Sequence, residues 1–353
     1  MNGRLFPFVL EPRLAPAIWG GDALVRAYGK HGDARATIGE SWECWDENVV
    51  RDGPYAGRTL ADVRATEGAA LTGRIDPRER FPLLTKLIDA RDALSVQVHP
   101  DDAYARRVEH QPNGKAECWL VLRAMPGAEI VLGWTRDTSR AEYERRVADG
   151  SLADILRRVP ARAGDVFYLP AGTLHAIGPG IEIFEAQQAS DLTYRIFDWN
   201  RTGADGKPRA LHVDKAADVL DFRATFPSAV RPLTYAADGL ERTLLVADAR
   251  FSLERATVRA LDAYLTTDGV PLALTAMGSH VRVDVSAGAG TLLEPWQTLV
   301  VPACVERVAL VPGGEATDVL LAQPLPDATA IRARLARSGV RAGDADAFFA
   351  QFA

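Results

Sequence analysis

Cysteine is scarce in this chain: Cys44, Cys118 and Cys304 are odd in number, far apart and never in C-x-x-C spacing. That excludes a disulfide framework and a cysteine-bound zinc, and a reducing cytoplasm is the expected home. No apolar run reaches the length of a membrane span, and residues 1–16 lack a basic segment followed by an apolar one, so neither a membrane partner nor a secretory leader is expected. No block rich in lysine and arginine offsets the net charge of −6, which argues against a nucleic-acid binder. An anionic small substrate would therefore need a local basic pocket. What is present is ordinary for a globular protein, with 47% hydrophobic and 25% charged residues over 353 positions, enough for two domains.

The periodicity is mostly that of strands. Strands are expected over 83–88, 94–99, 117–122 and 129–132 with no helix between them, and again over 166–169, 181–187 and 192–199. A helix is expected over 60–71 behind the capping-box spacing of Thr59 and Asp62. Two more fall within 137–160, where Ser139 and Glu142 form a second box, Gly150 is a stop, and Leu152, Ile155, Leu156 and Val159 recur at helical spacing. Residues 213–222 read as a helix and 200–209 as a polar loop. After about 235 come short strands separated by Gly, Asp and Pro, the layout of a sandwich or jelly roll. The layout of 164–170 recurs over 288–302, but no histidine follows Pro302, which suggests two related β domains of which only the first keeps ligands. A helical tail starts near Asp327, and its Phe348, Phe349 and Phe352 are expected to dock on the body of the molecule.

Chemistry concentrates on Gly164-x5-Pro170-x-Gly172-x2-His175, a strand, a turn and an imidazole in twelve residues. In an extended chain Ser95, Gln97 and His99 share one face, as do Lys115, Glu117 and Trp119, and as do Glu185 and Gln187. If these strands meet, Gln97, His99, Glu117 and His175 offer two imidazole nitrogens and two oxygens around one point. That set suits zinc with an open position, with manganese, iron or cobalt as alternatives by ligand type. Each histidine alone would be an ordinary packed or surface residue, as His31, His110, His212 and His280 are read; the combination carries the reading. Lys86, Lys115, Arg195 and Arg201 form a basic constellation that matches phosphate, although the arginines have Asp191, Asp198 and Glu185 as competing partners. Trp19, Trp42, Trp45 and Trp119 would floor a sugar site or fill the core.

Longer motifs run through the chain: Ile18-Trp-Gly-Gly21, Gly39-Glu-Ser-Trp-Glu43, Phe81-Pro-Leu-Leu-Thr-Lys-Leu-Ile-Asp-Ala90, Leu94-Ser-Val-Gln-Val-His-Pro-Asp-Asp102, Gly114-Lys-Ala-Glu-Cys-Trp119, residues 164–178, and Glu185-Ala-Gln-Gln-Ala-Ser-Asp-Leu-Thr-Tyr-Arg195-Ile-Phe-Asp198. Through them the sequence resembles the type I phosphomannose isomerases, metal-dependent mannose-6-phosphate isomerases of the cupin superfamily, in their short bacterial form. Thr85 and Ile88 depart from the pattern, and the tail after Pro326 has no counterpart in it. The resemblance implies a mainly β protein of two cupin-like jelly-roll domains. Residues 1–235 would be the catalytic metal-binding domain with short helical insertions, 236–325 a ligand-free one, and 326–353 a helical tail.

It further implies one zinc held by Gln97, His99, Glu117 and His175, and a substrate pocket containing Arg195, Lys115 and Glu185, with Lys86, Ser95, Arg201 and Trp19 as further substrate or phosphate contacts. The implied reaction interconverts mannose 6-phosphate and fructose 6-phosphate through a cis-enediol, with Lys115 and Glu185 as the proton-handling candidates. The expected partner is a small sugar phosphate, and the chain is expected as a monomer or weak homodimer. A related sugar isomerase and a non-catalytic sugar-binding cupin are the alternatives.

Overall fold

Period-two sequence built from two separate blocks of chain gives two pairs of antiparallel sheets. The computed structural model describes residues 5–33, 35–202, 206–225, 227–259, 262–285 and 290–352. In the first pair, a six-stranded sheet runs in the order Arg13–Gly21, Ile38–Cys44, Leu84–Ala90, Ile181–Gln187, Glu117–Ala124 and Val166–Leu169. A five-stranded sheet runs in the order Tyr194–Phe197, Val96–Val98, His175–Ile177, Glu129–Trp134 and Leu156–Pro160. From Leu84 onward the chain passes repeatedly between these sheets, as a jelly roll does, so their inner faces are built from the same short motifs. Ile88, Val121 and Ile183 of one sheet pack with Ile130, Leu132 and Ile177 of the other.

The inner face changes character along the strands. Ile88 pairs with Ile183 and Ile183 with Val121; two residues on, Lys86 pairs with Glu185 and Glu185 with Trp119. Because side chains alternate, this polar row faces the same way as the apolar one. One end of the sandwich is thus a core and the other a charged hollow.

The second pair is a seven-stranded sheet, in the order Phe8–Leu10, Thr298–Val301, Leu272–Met277, Thr317–Pro324, Phe251–Val258, Leu240–Ala247 and Leu233–Ala237, facing a four-stranded one. Leu274, Val301 and Val319 of the first meet Val283, Leu293 and Leu310 of the second in a dry core. Two pairings cross the division expected at 235. The chain's first strand pairs with the second region, Val9 opposite Leu299, and position 235 lies inside a strand that pairs with Leu240–Ala247. Phe81, Leu87 and Phe184 share one cluster with Leu253, Val300 and Leu320, so the two regions also share a core.

Several local expectations change. The helix over 60–71 is broken: Thr59 and Asp62 form the reciprocal cap, but Gly68 at φ 53° ends Leu60–Glu67 before Ala69–Thr72. Within 137–160, Arg140–Asp149 is the one full helix; Leu152–Ile155 is a 3-10 turn, and Leu156–Pro160 is a strand recruited by Glu129–Trp134. Leu152, Ile155 and Leu156 are buried in one cluster, and Val159 packs against another. The β run after Phe81 is interrupted at Asp102–Tyr104 and Ala105–Glu109, because the Asp101 carboxylate accepts the Tyr104 N–H at 2.7 Å and caps a helical turn. The strand expected over 192–199 is Tyr194–Phe197, and the helix over 213–222 is Val213–Val219.

The tail forms Ala328–Arg337 and Ala342–Phe349. Phe348 is buried with Tyr235, Leu244 and Ile331, Phe349 and Phe352 pack against the same cluster, and the Phe352 ring meets Tyr168 at 5.3 Å. Among the described residues no helix is long and apolar enough to cross a membrane. Gly288, which opens the 288–302 segment, lies outside the described residues.

Candidate active site and metal centre

The metal-capable residues come together because three short segments are pinned to each other. Gly172, at φ 85°, turns the chain after Pro170 and donates its N–H to the His99 carbonyl at 2.9 Å, which sets His175 beside Gln97. Gly114 permits the approach from the other side. A Cβ there would lie 2.3 Å from the Asp101 carbonyl carbon and 2.4 Å from the Pro100 oxygen, so only glycine brings Lys115 and Glu117 this close to His99.

The His175 and His99 Nε2 atoms lie 3.2 and 3.4 Å from the two Glu117 oxygens. One ligand atom from each of the three residues lies within 4.8 Å of the others, and all three side chains are buried. Each imidazole donates its Nδ1–H to a backbone carbonyl, His99 to Leu192 at 2.9 Å and His175 to Thr173 at 2.8 Å. That fixes both tautomers with the Nε2 lone pair inward, the outer-shell arrangement of metal-binding histidines. Burial and Lys115 push the His99 imidazole down to about 3, so it is neutral. Burial alone would raise Glu117, but the Lys115 ammonium beside it holds it well below the usual carboxylate range. His99 Nε2 and Glu117 Oε1 are buried without a hydrogen bond, while Glu117 Oε2 faces the Lys115 ammonium at 2.9 Å. Orphaned polar atoms of this kind are costly unless something fills the space between them, and a cation fits the donor set. Gln97 lies beside the set: its amide nitrogen is 3.3 Å from His175 Nε2, and a half-turn of the amide would present its oxygen there instead.

Above this cluster opens a cavity of about 340 Å³. The structure brings Trp19, Lys86, Ser95, Gln97, Lys115, Glu185 and Arg195 to its wall, all of them expected from the sequence. Arg201 is not brought there. Its guanidinium donates to Asp198 and to the Ala93 carbonyl, both at 2.6 Å. Arg209 lines the cavity instead, gripping Asp198 from the other side. Glu40, Asp191 and Thr193 also line it and were missed as site residues, although each lies within or between the motifs that carry the resemblance. Arg209 had no signal beyond its charge in a polar loop. A larger hollow of about 570 Å³ lies between the segments around Tyr28 and Trp296, away from all of these groups.

Glu185 is buried, and its Oε2 accepts the Trp119 indole N–H at 2.9 Å. Burial and then the nearby Glu117 raise its carboxyl above the ordinary value. Burial opposes the charge on Lys86, but Glu40 and Glu185 outweigh it and hold the ammonium well above its usual range. Arg195 is held at its backbone N–H by His212 Nδ1 (3.1 Å) and at its guanidinium by the Ala210 carbonyl (3.0 Å). Burial, and then the nearby Arg209 and Arg201 guanidiniums, push the Arg195 guanidinium below its ordinary value.

Facing antiparallel sheets, a buried His/Glu/His cluster at one end of their interface and a charged hollow above it define a cupin with a metal-capable site. The comparisons agree and are narrower. The model of the phosphomannose isomerase type I catalytic domain matches residues 8–121. The mannose-6-phosphate isomerase of Streptococcus mutans is 41% identical over 252 residues, covering 70% of this chain and 77% of that protein. ManA of Bacillus subtilis, also a mannose-6-phosphate isomerase, is 40% identical over 224 residues, 61% of this chain and 68% of that one. A solved mannose 6-phosphate isomerase from Bacillus subtilis superposes with a TM-score of 0.81 at 29% identity, over 90% of this chain and 99% of that one. A phosphomannose isomerase from Salmonella typhimurium, 14% identical with a TM-score of 0.72 over 91% of this chain and 100% of that one, shares the fold. The chain belongs to the type I phosphomannose isomerase family.

Proposed function

We infer that the chain interconverts mannose 6-phosphate and fructose 6-phosphate. The observation that carries this is the placement of Glu185, whose buried Oε1 has no hydrogen-bond partner, on the wall of one cavity with Lys115, Arg195 and the candidate ligand Gln97. Gln97, His99, Glu117 and His175 would hold zinc, which when bound supplies Lewis acidity toward the sugar oxygens.

The chain's own residues account for the proton movements. Glu185 removes the C2 proton; the C2–H electron pair becomes the C1=C2 bond of the cis-enediol as O1 takes up a proton. The same carboxyl returns its proton to C1 while O2 releases one and C2 becomes the carbonyl, so nothing is oxidised overall. Lys115, with Nζ 2.9 Å from Glu117, is the candidate for carrying protons between O1 and O2. Arg195 contacts the reacting part of the sugar, and its guanidinium with that of Arg209 offers planar forks to the phosphate. Lys86 and Ser95 complete the polar wall, Trp19 gives it an apolar face, and Arg201 acts through Asp198. Trp19 is seated by Gly39, where a Cβ would come within 2.6 Å of its ring.

The expected setting is the cytoplasm, as a monomer or weak homodimer with a small sugar phosphate as partner. The test is turnover of mannose 6-phosphate by purified protein before and after chelation, with zinc restored. Chelator-sensitive activity recovered by metal supports the reading; equal turnover of unphosphorylated mannose moves it to a related sugar isomerase, and binding without turnover to a sugar-binding cupin.

A further inference from the structure

A buried carboxylate, Glu185, and a half-buried one, Glu40, share one ammonium in this cavity, and they are not equivalent. Glu40 and Trp42 lie on the same face of Ile38–Cys44, and Trp42 pairs with Lys86 across the strands. The Trp42 indole N–H donates to Glu40 Oε2 at 2.6 Å, while the Lys86 ammonium sits over the Trp42 ring at 4.8 Å from its centroid. Lys86 Nζ is 3.3 Å from Glu40 Oε2 and 3.5 Å from Glu185 Oε1. On the far side the Trp119 N–H holds Glu185 Oε2. The groups form a line: indole, carboxylate, ammonium, carboxylate, indole.

Neither separation is a full N–H···O hydrogen bond, but the ammonium lies nearer Glu40 than Glu185, and Glu185 Oε1 is buried with no hydrogen-bond partner. An ammonium with one carboxylate in reach would close on it. Here a second carboxylate, anchored by its own indole, and an aromatic face both draw Lys86 away from Glu185. We propose that Glu40 is a positioning residue: through Lys86 it keeps Glu185 Oε1 open for the substrate proton while leaving a positive charge beside it. This rests on Glu185 being the proton-transfer group. The other charged groups around Glu185, namely Glu117 and Lys115, are already paired with each other at 2.9 Å, so Lys86 is the cation free to close on it if Glu40 is neutralised.

The test is Glu40→Gln, which keeps the shape and the acceptor for Trp42 but removes the charge. With zinc content and melting temperature near wild type, kcat should fall about 10- to 100-fold, the cost of a small misplacement at a reacting group, while KM changes less than about threefold. In a Lys86→Met background the same substitution should change kcat less than about threefold, because the intermediary is gone. A kcat for Glu40→Gln within threefold of wild type overturns the inference, and so does a loss that persists in full without Lys86. Should Glu40→Gln fail to fold, Trp42→Phe, which frees Glu40 from its anchor, stands in; its kcat should fall in the same direction, and an unchanged kcat overturns the inference. Glu185→Gln separates the two levels. If it keeps wild-type turnover, the Glu185 reading itself fails; if it is inactive while Glu40→Gln is normal, only the role of Glu40 falls.

Discussion

Both β regions bury charge, and they treat it in opposite ways. In the C-terminal region Arg242 donates to Glu254 at 2.6 and 3.1 Å, the Tyr235 hydroxyl donates to the same carboxylate, and Arg334 from the tail donates to Tyr235 and to Asp268 at 3.1 Å each. Only about 20 Å³ of space is left beside them, room for one water. Among the described residues, no buried side-chain nitrogen or oxygen of that region lacks a partner. In the N-terminal region His99 Nε2, Glu117 Oε1, Glu185 Oε1 and Arg195 Nε lack a hydrogen-bond partner, next to a cavity of about 340 Å³. The residue types are alike. A closed network fixes the fold and clamps the tail helix, whereas an open one is poised for something that is not part of the chain.

Substitutions can break this contrast from either side. The largest effect is expected at the open cluster. His99→Ala should lower turnover more than about 100-fold and leave the protein with little bound zinc, read by activity and metal content together. Glu185→Gln should lower kcat by about 100- to 10,000-fold, the usual reach of a general base, with zinc content unchanged. At the closed cluster the loss should appear in stability instead. Arg242→Met leaves Glu254 buried with fewer partners, and a cost of about 3–5 kcal/mol is expected in chemical denaturation, with kcat per folded molecule near wild type. A kcat loss there as large as that of Glu185→Gln would erase the distinction.

Smaller differences sharpen it. Arg209→Ala should raise KM for the sugar phosphate by about tenfold, about one charge-assisted contact, and more than Arg201→Ala does, since Arg201 faces Asp198 and Ala93 rather than the cavity. The smallest effect is one of pH. Burial would raise Glu254, but Arg242 and Arg334 hold its folded carboxyl below the ordinary value. A lowered folded pKa contributes stability that is present in full above the unfolded carboxyl value, about 4.3, and is lost as pH falls through the folded one. Melting temperature should therefore be flat above about pH 5 and drop on acidification, and Glu254→Gln should flatten that acid limb.

The His99, Glu117 and His175 cluster was legible because strand alternation is a local rule. Gln97 and His99 share a face whatever the rest of the chain does, and Pro170 and Gly172 announce the turn before His175. Helix starts were equally legible at Thr59 and Ser139, where the cap is made by neighbours in sequence. Where tertiary pairing competed, local spacing misled: Leu156–Pro160 carries a helical pattern but is held as a strand by Glu129–Trp134. The course of the first strand could not be read at all, since nothing in Phe8–Leu10 points to Thr298–Val301, almost the whole chain away.

The sequence by itself determined the residue types of the site, their grouping on strand faces and the family, because these depend on side-chain chemistry and a two-residue period. Only the tertiary structure decided which charges are closed and which are left open. That choice put Arg209 rather than Arg201 on the cavity, set Lys86 between Glu40 and Glu185, and locked Arg334 into the second region. It depends on differences of a few tenths of an ångström in the distances between atoms contributed by strands far apart in the chain. Such distances are fixed by packing and register, and no local rule of sequence contains them.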